Sequence, residues 1–265
     1  MNFIRHYLLA LQFFTRIPVT GRLAAWAGYS PAMLRASAAH FPGVGWLVGL
    51  LAALLFAGVQ LLLPDARGTP LVAAVLSTVF TVLLTGAFHE DGLADVADGL
   101  GGTPERSRAL EIMKDSRVGA FGAVALVLVL LAKVSLLALL GDVDIQLACV
   151  GLLAAHVVSR TLPLLLIRVL PYVGDSAASR SKPLADQISL AGLLAAFAWF
   201  FILLAFVAWL YGAAILIAPL ITAGLAWLWM WRLFARRLQG FTGDCLGATQ
   251  QVCEVAFYFG LALSA

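Results

Sequence analysis

At 265 residues the chain is long enough for one or two soluble domains. Its composition excludes that class: 62% of residues are hydrophobic and 12% charged, with a mean hydropathy of +0.98, whereas a soluble protein has about 25% charged residues. A net charge of +3 with no Lys/Arg stripe excludes a nucleic-acid surface, and three cysteines without a CxxC spacing give no disulfide framework or zinc site.

Residues 1–20 are apolar for only about ten residues before Arg16 and Pro18, too short to cross a bilayer. They read as an interfacial or partly inserted helix, and no small-residue cleavage site marks them as a removed signal. A mixed loop reaches residue 41. Apolar runs then predict spans at 44–63, 71–88, 121–140, 145–167, 188–210, 213–231 and 248–263, the last interrupted by Gln250, Gln251 and Glu254. Glycines 43, 45 and 49 in the first span suit close helix approach. The expected fold class is all-α, a polytopic membrane helix bundle of about seven spans forming a single integral membrane domain.

Charge sets the expected orientation. With seven spans, fourteen of the seventeen Lys and Arg residues fall on one side, and only Arg67 falls on the other. By the positive-inside rule that basic side is cytoplasmic. It holds two polar segments, 89–120 and 232–247.

The first polar segment is strongly acidic: seven of the fourteen acidic residues lie between positions 90 and 115. Asp91, Asp95 and Asp98 stand at i, i+4 and i+7, so on a helix their carboxylates share one face. Like charges on adjacent turns repel and call for a cation. Oxygen donors without a Cys or His set suit a hard ion, Mg2+ or Mn2+. Asp115 or Glu111 would add ligands enough for one or two ions, an arrangement used in phosphoryl transfer. A solvated acidic loop is the plainer reading; against it, Leu93, Val96 and Ala97 fill the remaining faces and the segment follows directly on a span.

Gly92 and Gly99, with Gly101 and Gly102, each cost a helix about 1 kcal/mol relative to Ala, and would let bare backbone approach a phosphate. Lys114 and Arg117 would offset phosphate charge, while Arg106 and Arg108 read as anchors. His89, opposite Asp91 on the helix, could bind substrate or exchange a proton, although a packed histidine is equally compatible. No Walker sequence is present. In the second segment, Thr242 and Asp244 follow Arg232, Arg236 and Arg237 and could contact substrate or metal. Arg160 and Glu254 fall inside spans, where they either serve function or pair with a buried charge such as Lys133. The tryptophans read as interfacial or packing residues.

The stretches FHEDGLADVADGLGG (88–102) and RALEIMKDSRVGAFG (108–122) resemble the signature of the cobalamin synthase family, the adenosylcobinamide-GDP ribazoletransferases. FFTRIP (13–18), HFPGVGWLVG (40–49), Ser159-Arg160 and GFTGDCLGA (240–248) resemble the same family, and the likeness weakens between about 125 and 235. The resemblance implies joining of adenosylcobinamide-GDP to α-ribazole or its 5'-phosphate with release of GMP, in the presence of Mg2+. Asp91, Asp95, Asp98 and Asp115 would hold one or two Mg2+ ions. Asp98, Asp95 or His89 would take the hydroxyl proton, and Arg117, Lys114, Arg160, Gly92, Gly99, Thr242 and Asp244 would meet substrate. It further implies a multi-pass protein of the bacterial inner membrane, in contact with lipid and with its site facing the cytoplasm. A homo-oligomer or contacts with other corrinoid-pathway enzymes stay open.

Two alternatives compete. A CDP-alcohol phosphotransferase wants Ala-Arg where Ala94-Asp95 stands. A transporter or Mg2+ channel wants carboxylates at mid-membrane depth rather than at the end of a span.

Overall fold

The computed structural model describes residues 2–174 and 187–265, so the expected charges Asp175, Arg180, Lys182 and Asp186 lie outside the described residues. Among the described residues the secondary structure is helical, apart from one bridge between Tyr172 and Phe241. The helices are α1 (Asn2–Phe14), α2 (Gly21–Ala27), α3 (Pro31–Ser37), α4 (Phe41–Leu62), α5 (Thr69–Thr85), α6 (Phe88–Gly102), α7 (Arg106–Ile112), α8 (Ala120–Val143), α9 (Ile145–Val169), α10 (Leu190–Tyr211), α11 (Ile217–Arg237) and α12 (Gly243–Ser264).

Among the described residues, five stretches are long and apolar enough to cross a membrane: Pro31–Leu62, α8, α9, α10 and, with its leading 3-10 turn, Ala213–Arg237. The bent pair α5–α6 raises the number to six if counted as one span. The chain is therefore an all-α polytopic membrane bundle, and the seventh expected span, α12, falls short because Gln250, Gln251 and Glu254 lower its hydropathy. The first span also begins earlier than the expected loop allowed. Ser30 Oγ accepts the Met33 amide at 3.1 Å with Pro31 at the first helical position, a combination that starts a helix there.

Helix α9 is central, with 83% of its apolar window buried against 17–22% for α8, α10 and α11. It lies directly on α4, where Gly45 and Gly49 do what small residues do in membrane interfaces. A Cβ at Gly49 would come within 2.8 Å of the Leu153 Cα, and one at Gly45 would strike the His156 carbonyl. Helix α12 packs against α6, α9 and α11, so its polar residues face protein rather than lipid.

The expected span 71–88 does not run on into the acidic segment. Gly86 (φ +70°) and Ala87 (φ +58°) are both left-handed, and α6 leaves α5 at 89°. For Ala87 this conformation costs about 1–2 kcal/mol. The turn is secured by the Arg16 amide, which donates to the Leu84 carbonyl at 2.7 Å, and by the Arg16 guanidinium packed against Gly86. The carboxylates thus stand on a separate helix set across the end of α5.

Candidate active site

Helix α6 buries Leu93, Ala94 and Val96 and presents Asp91, Asp95 and Asp98 on one side, as their spacing requires. The three carboxylates meet different surroundings. Asp91 is exposed, Asp95 half-buried and Asp98 buried.

Asp98 is held by the chain itself. Its Oδ2 accepts the Gly119 amide at 2.7 Å and its Oδ1 the Gly122 amide at 2.8 Å. The residue therefore caps the N-terminus of α8 from a neighbouring helix, satisfying amides that lack intrahelical partners. A Cβ at Gly119 would approach Asp98 Oδ1 to 2.5 Å, so the cap requires glycine there. An expected proton acceptor and metal ligand is thus found committed to backbone, where it can position the segment.

The second polar segment meets α6 at Gly92. A Cβ there would lie 2.8 Å from the Asp244 carbonyl oxygen, so the missing side chain admits the first turn of α12. Gly99 likewise admits α7, with the Ala109 carbonyl 2.9 Å from a would-be Cβ. Both glycines face protein, which corrects the expectation that they bare backbone to a phosphate. Thr242 caps α12 by accepting the Cys245 amide at 3.4 Å, and its hydroxyl donates to Asp244 Oδ2 at 3.2 Å.

This contact assembles Asp91, Asp95 and Asp244 into one electrostatic group. Burial raises the Asp95 carboxyl to about 7, and the charges of Asp244, Asp91 and Asp98 push in the same direction. Asp244 is also raised, by burial and the nearby Asp91 charge, against the stabilising Thr242 hydroxyl. Among the described residues, no Lys or Arg forms an ion pair with any of the three. Nor do any three His, Cys, Asp or Glu side chains converge closely enough to hold a metal ion. The donor chemistry nevertheless fits a hard divalent cation, because these are carboxylate oxygens with uncompensated charge.

Asp115 differs from that group. It is bound through both oxygens by Arg117, which holds its carboxyl down at about 2. The pair lies in the turn after α7, with Lys114 beside it, and lines an open hollow shared with Asp98 and Arg108. Asp115 thus has its counter-charge already and stands apart from Asp91 and Asp95. Arg108 pairs with Glu111 at 2.6 Å on the surface. Arg106 donates to the Leu238 carbonyl at 2.6 Å, and Arg237 donates to those of Leu100 and Thr103 at 3.1 and 2.6 Å. Both arginines tie the α6–α7 turn to the end of α11.

Inside the bundle, Glu254 pairs with Lys133 at 2.7 Å, and His156 Nδ1 lies 3.6 Å from it. Gln250 donates to Glu254 at 2.5 Å and to Ser159 at 3.0 Å. Gln251 bridges to Glu90 at 3.0 Å and to Gln250 at 2.9 Å. Arg160, expected at a phosphate, is 2% exposed; it donates to His156 Nδ1 at 2.8 Å and lies over the Phe41 ring at 5.6 Å. Glu254 has Lys133 as its charge partner, whereas Arg160 forms no ion pair with a carboxylate among the described residues and its buried Nε has no hydrogen-bond partner.

The profile of the Cobalamin-5-phosphate synthase family matches residues 6–262. The chain belongs to the cobalamin-5-phosphate synthase family. It is similar to proteins named adenosylcobinamide-GDP ribazoletransferase from a Polaromonas species (65% identity, covering 99% of this chain and 98% of the relative), from Polaromonas naphthalenivorans (64%, 100% and 99%) and from Albidiferax ferrireducens (63%, 99% and 99%). No solved structure matches it with significance.

In this member of the cobalamin-5-phosphate synthase family, sequence reasoning missed Glu90, Gln250 and Gln251 as a network joining α6 to α12. The available signal was the Gln-Gln pair in an otherwise apolar helix, where amides need partners. His89, expected opposite Asp91, is 1% exposed and stacks on Phe41 at 5.6 Å with 13° between ring planes. It faces the interior, away from the aspartate face.

Proposed function

We propose that this chain catalyses the reaction for which its relatives are named: it transfers the adenosylcobinamide phosphate moiety of adenosylcobinamide-GDP to α-ribazole or its 5'-phosphate. GMP is released, and adenosylcobalamin or its 5'-phosphate is formed. A ribazole hydroxyl attacks the phosphorus nearest the cobinamide, the bond to the GMP oxygen breaks, and the hydroxyl proton passes to a carboxylate of the Asp91–Asp95–Asp244 group. The observation behind this reading is that group itself: three carboxylates from two helices with no cationic partner among the described residues.

Mg2+, held by one or two of the carboxylates Asp91, Asp95 and Asp244, would supply charge neutralisation for the diphosphate and the departing GMP. Asp98 keeps the loop before α8 against α6, which sets the position of the other carboxylates. Arg117, which lines the hollow beyond Asp98, is placed to meet phosphate from solution. The chain lies in the bacterial inner membrane with seven spans, α5 and α12 completing the five. The positive-inside distribution puts the aspartates on the cytoplasmic side, where nucleotide substrates are found.

The test uses the full chain in lipid nanodiscs with adenosylcobinamide-GDP and α-ribazole, scored for GMP release with and without Mg2+. Release that needs both the acceptor and the metal supports the reading. Release unchanged by EDTA contradicts the role of the cation, and no release with either acceptor contradicts the activity.

A further inference from the structure

The hollow beyond Asp98 is larger than a phosphate needs. Its volume of about 620 Å³ lies in the range of small-molecule sites; it suits a nucleoside and is small for a corrin. Helix α7 contributes Arg108 and Glu111 to the lining, the turn after it Asp115 and Arg117, the start of α8 Phe121, and α6 Asp98. Two carboxylates from α7 and its turn tell against a site for phosphate alone. Arg108 Nη1 donates to Glu111 Oε2 at 2.6 Å, and Glu111 Oε1 accepts no hydrogen bond among the described residues. The pair therefore offers a donor and an acceptor side by side at the hollow.

Phe121 adds an aromatic surface. Its ring is seated against α6 in the space left by Gly101, where a Cβ would lie 2.7 Å from the ring, yet the residue is 55% exposed. A ring fixed in this way can stack on a base. The hollow adjoins the aspartates through Asp98, whose charge is offset by the Gly119 and Gly122 amides. Asp95 stands three residues earlier, a rise of about 4.5 Å along the helix, close enough for the Asp98 charge to act on its carboxyl.

Among the parts of the two substrates, guanosine matches this lining. The ribazole base offers a single acceptor nitrogen and otherwise apolar edges. Guanine offers O6 as an acceptor beside N1–H and the 2-amino group as donors, the complement of a guanidinium next to a carboxylate.

We propose that the hollow is the guanosine subsite of the donor: guanine stacks on Phe121, its N1–H and 2-amino group donate to Glu111, and its O6 accepts from Arg108. The diphosphate then runs past Asp98 toward Asp95 and Asp91. The assignment rests on the transferase reading above and adds where the leaving nucleotide is held and which pair identifies its base. Adenine seated in the same way presents an amino group in place of O6 and a bare nitrogen in place of N1–H. Each contact then sets donor against donor or acceptor against acceptor, and a site built around hydrogen bonds rejects such an analogue.

The experiment titrates GMP and AMP into the full chain in lipid nanodiscs by calorimetry, using wild type, Glu111→Ala and Phe121→Ala. Both side chains are exposed, so their removal spares the fold. Wild type is expected to bind GMP about tenfold more tightly than AMP. Glu111→Ala should weaken GMP about tenfold, the factor for hydrogen bonds to a charged group, and leave AMP unchanged. Phe121→Ala should weaken both nucleotides alike, because stacking tolerates either base. In steady-state GMP release, Glu111→Ala should raise the KM for adenosylcobinamide-GDP about tenfold and leave that for α-ribazole unchanged. Wild type that binds no GMP, or binds GMP and AMP equally, overturns the subsite. A preference for GMP that survives Glu111→Ala overturns it as well. The binding arms need no turnover: the expected pattern in a chain that releases no GMP from adenosylcobinamide-GDP would support the subsite and count against the transferase reading alone.

Discussion

The two acidic sites of this protein, one a glutamate and the other a set of aspartates, are treated in opposite ways. Glu254, deep in the bundle, is surrounded by Lys133, His156, Gln250 and Tyr258, each within 3.6 Å. Asp91, Asp95 and Asp244, at the bundle's end, have one another and a threonine hydroxyl. An interior charge must be matched by the fold, because apolar surroundings leave it no other partner. A charge cluster at an edge can remain unmatched and so be completed by something from solution. The first group holds helices together; the second is available for chemistry.

The comparison breaks most clearly in activity. Asp91→Asn or Asp95→Asn should lower GMP release by about 10^2–10^3-fold, the scale for losing a group that offsets charge in a transition state, while thermal stability holds or rises. Glu254 should behave in reverse. Lys133→Met leaves Glu254 without its ammonium partner and is expected to cost about 3–5 kcal/mol of stability in chemical unfolding. Adding Glu254→Leu should recover much of that loss, since replacing both charges removes the orphan. A stability loss in Asp95→Asn equal to that in Lys133→Met would erase the distinction between the groups.

Asp98 sharpens the contrast, since it stands on the aspartate face but is matched by the chain. Asp98→Asn keeps the shape but weakens the two amide contacts, and about 1–2 kcal/mol of stability should be lost. The effect on rate should be indirect and smaller than that of Asp95→Asn, read as GMP release per folded molecule.

The smallest effect concerns pH. Asp95 titrates near 7 in the folded chain against an ordinary 3.8, so the folded state binds the extra proton. Its contribution to stability is full below about pH 4 and is lost as pH rises toward 7. A shift of this size would correspond to about 4 kcal/mol for a buried group; half-exposure and solvent screening reduce it to about 1–2 kcal/mol. Metal-free protein should accordingly unfold more easily at pH 8 than at pH 5, with Asp95→Asn reducing the difference.

Local chemistry made much of this legible in the sequence. The apolar runs gave the long helices, and the i, i+4, i+7 spacing put three aspartates on one face of α6. What could not be read depends on distant partners. The hydropathy of 71–88 continues smoothly through Gly86 and Ala87; Gly86 is a local helix-stop signal, but the left-handed Ala87 and the right-angle break stabilised by Arg16 do not follow from it. The donors to Asp98 lie 21 and 24 residues further on, and a cap made across helices leaves no mark in either one. Asp244 joins Asp91 and Asp95 through the bare face of Gly92, a contact spanning about 150 positions of the chain. The polarity of α12 was visible, but its meaning came only with Lys133 on α8 and His156 on α9.

Direct cation binding separates the two acidic groups most cleanly. Mn2+ would be titrated into the nanodisc-embedded chain by electron paramagnetic resonance, using wild type, Asp95→Asn and the Lys133→Met/Glu254→Leu pair. Binding that disappears with Asp95→Asn and survives the interior replacement is the predicted result. Binding that is unaffected by Asp95→Asn would contradict the assignment of the unmatched aspartates as the cation site.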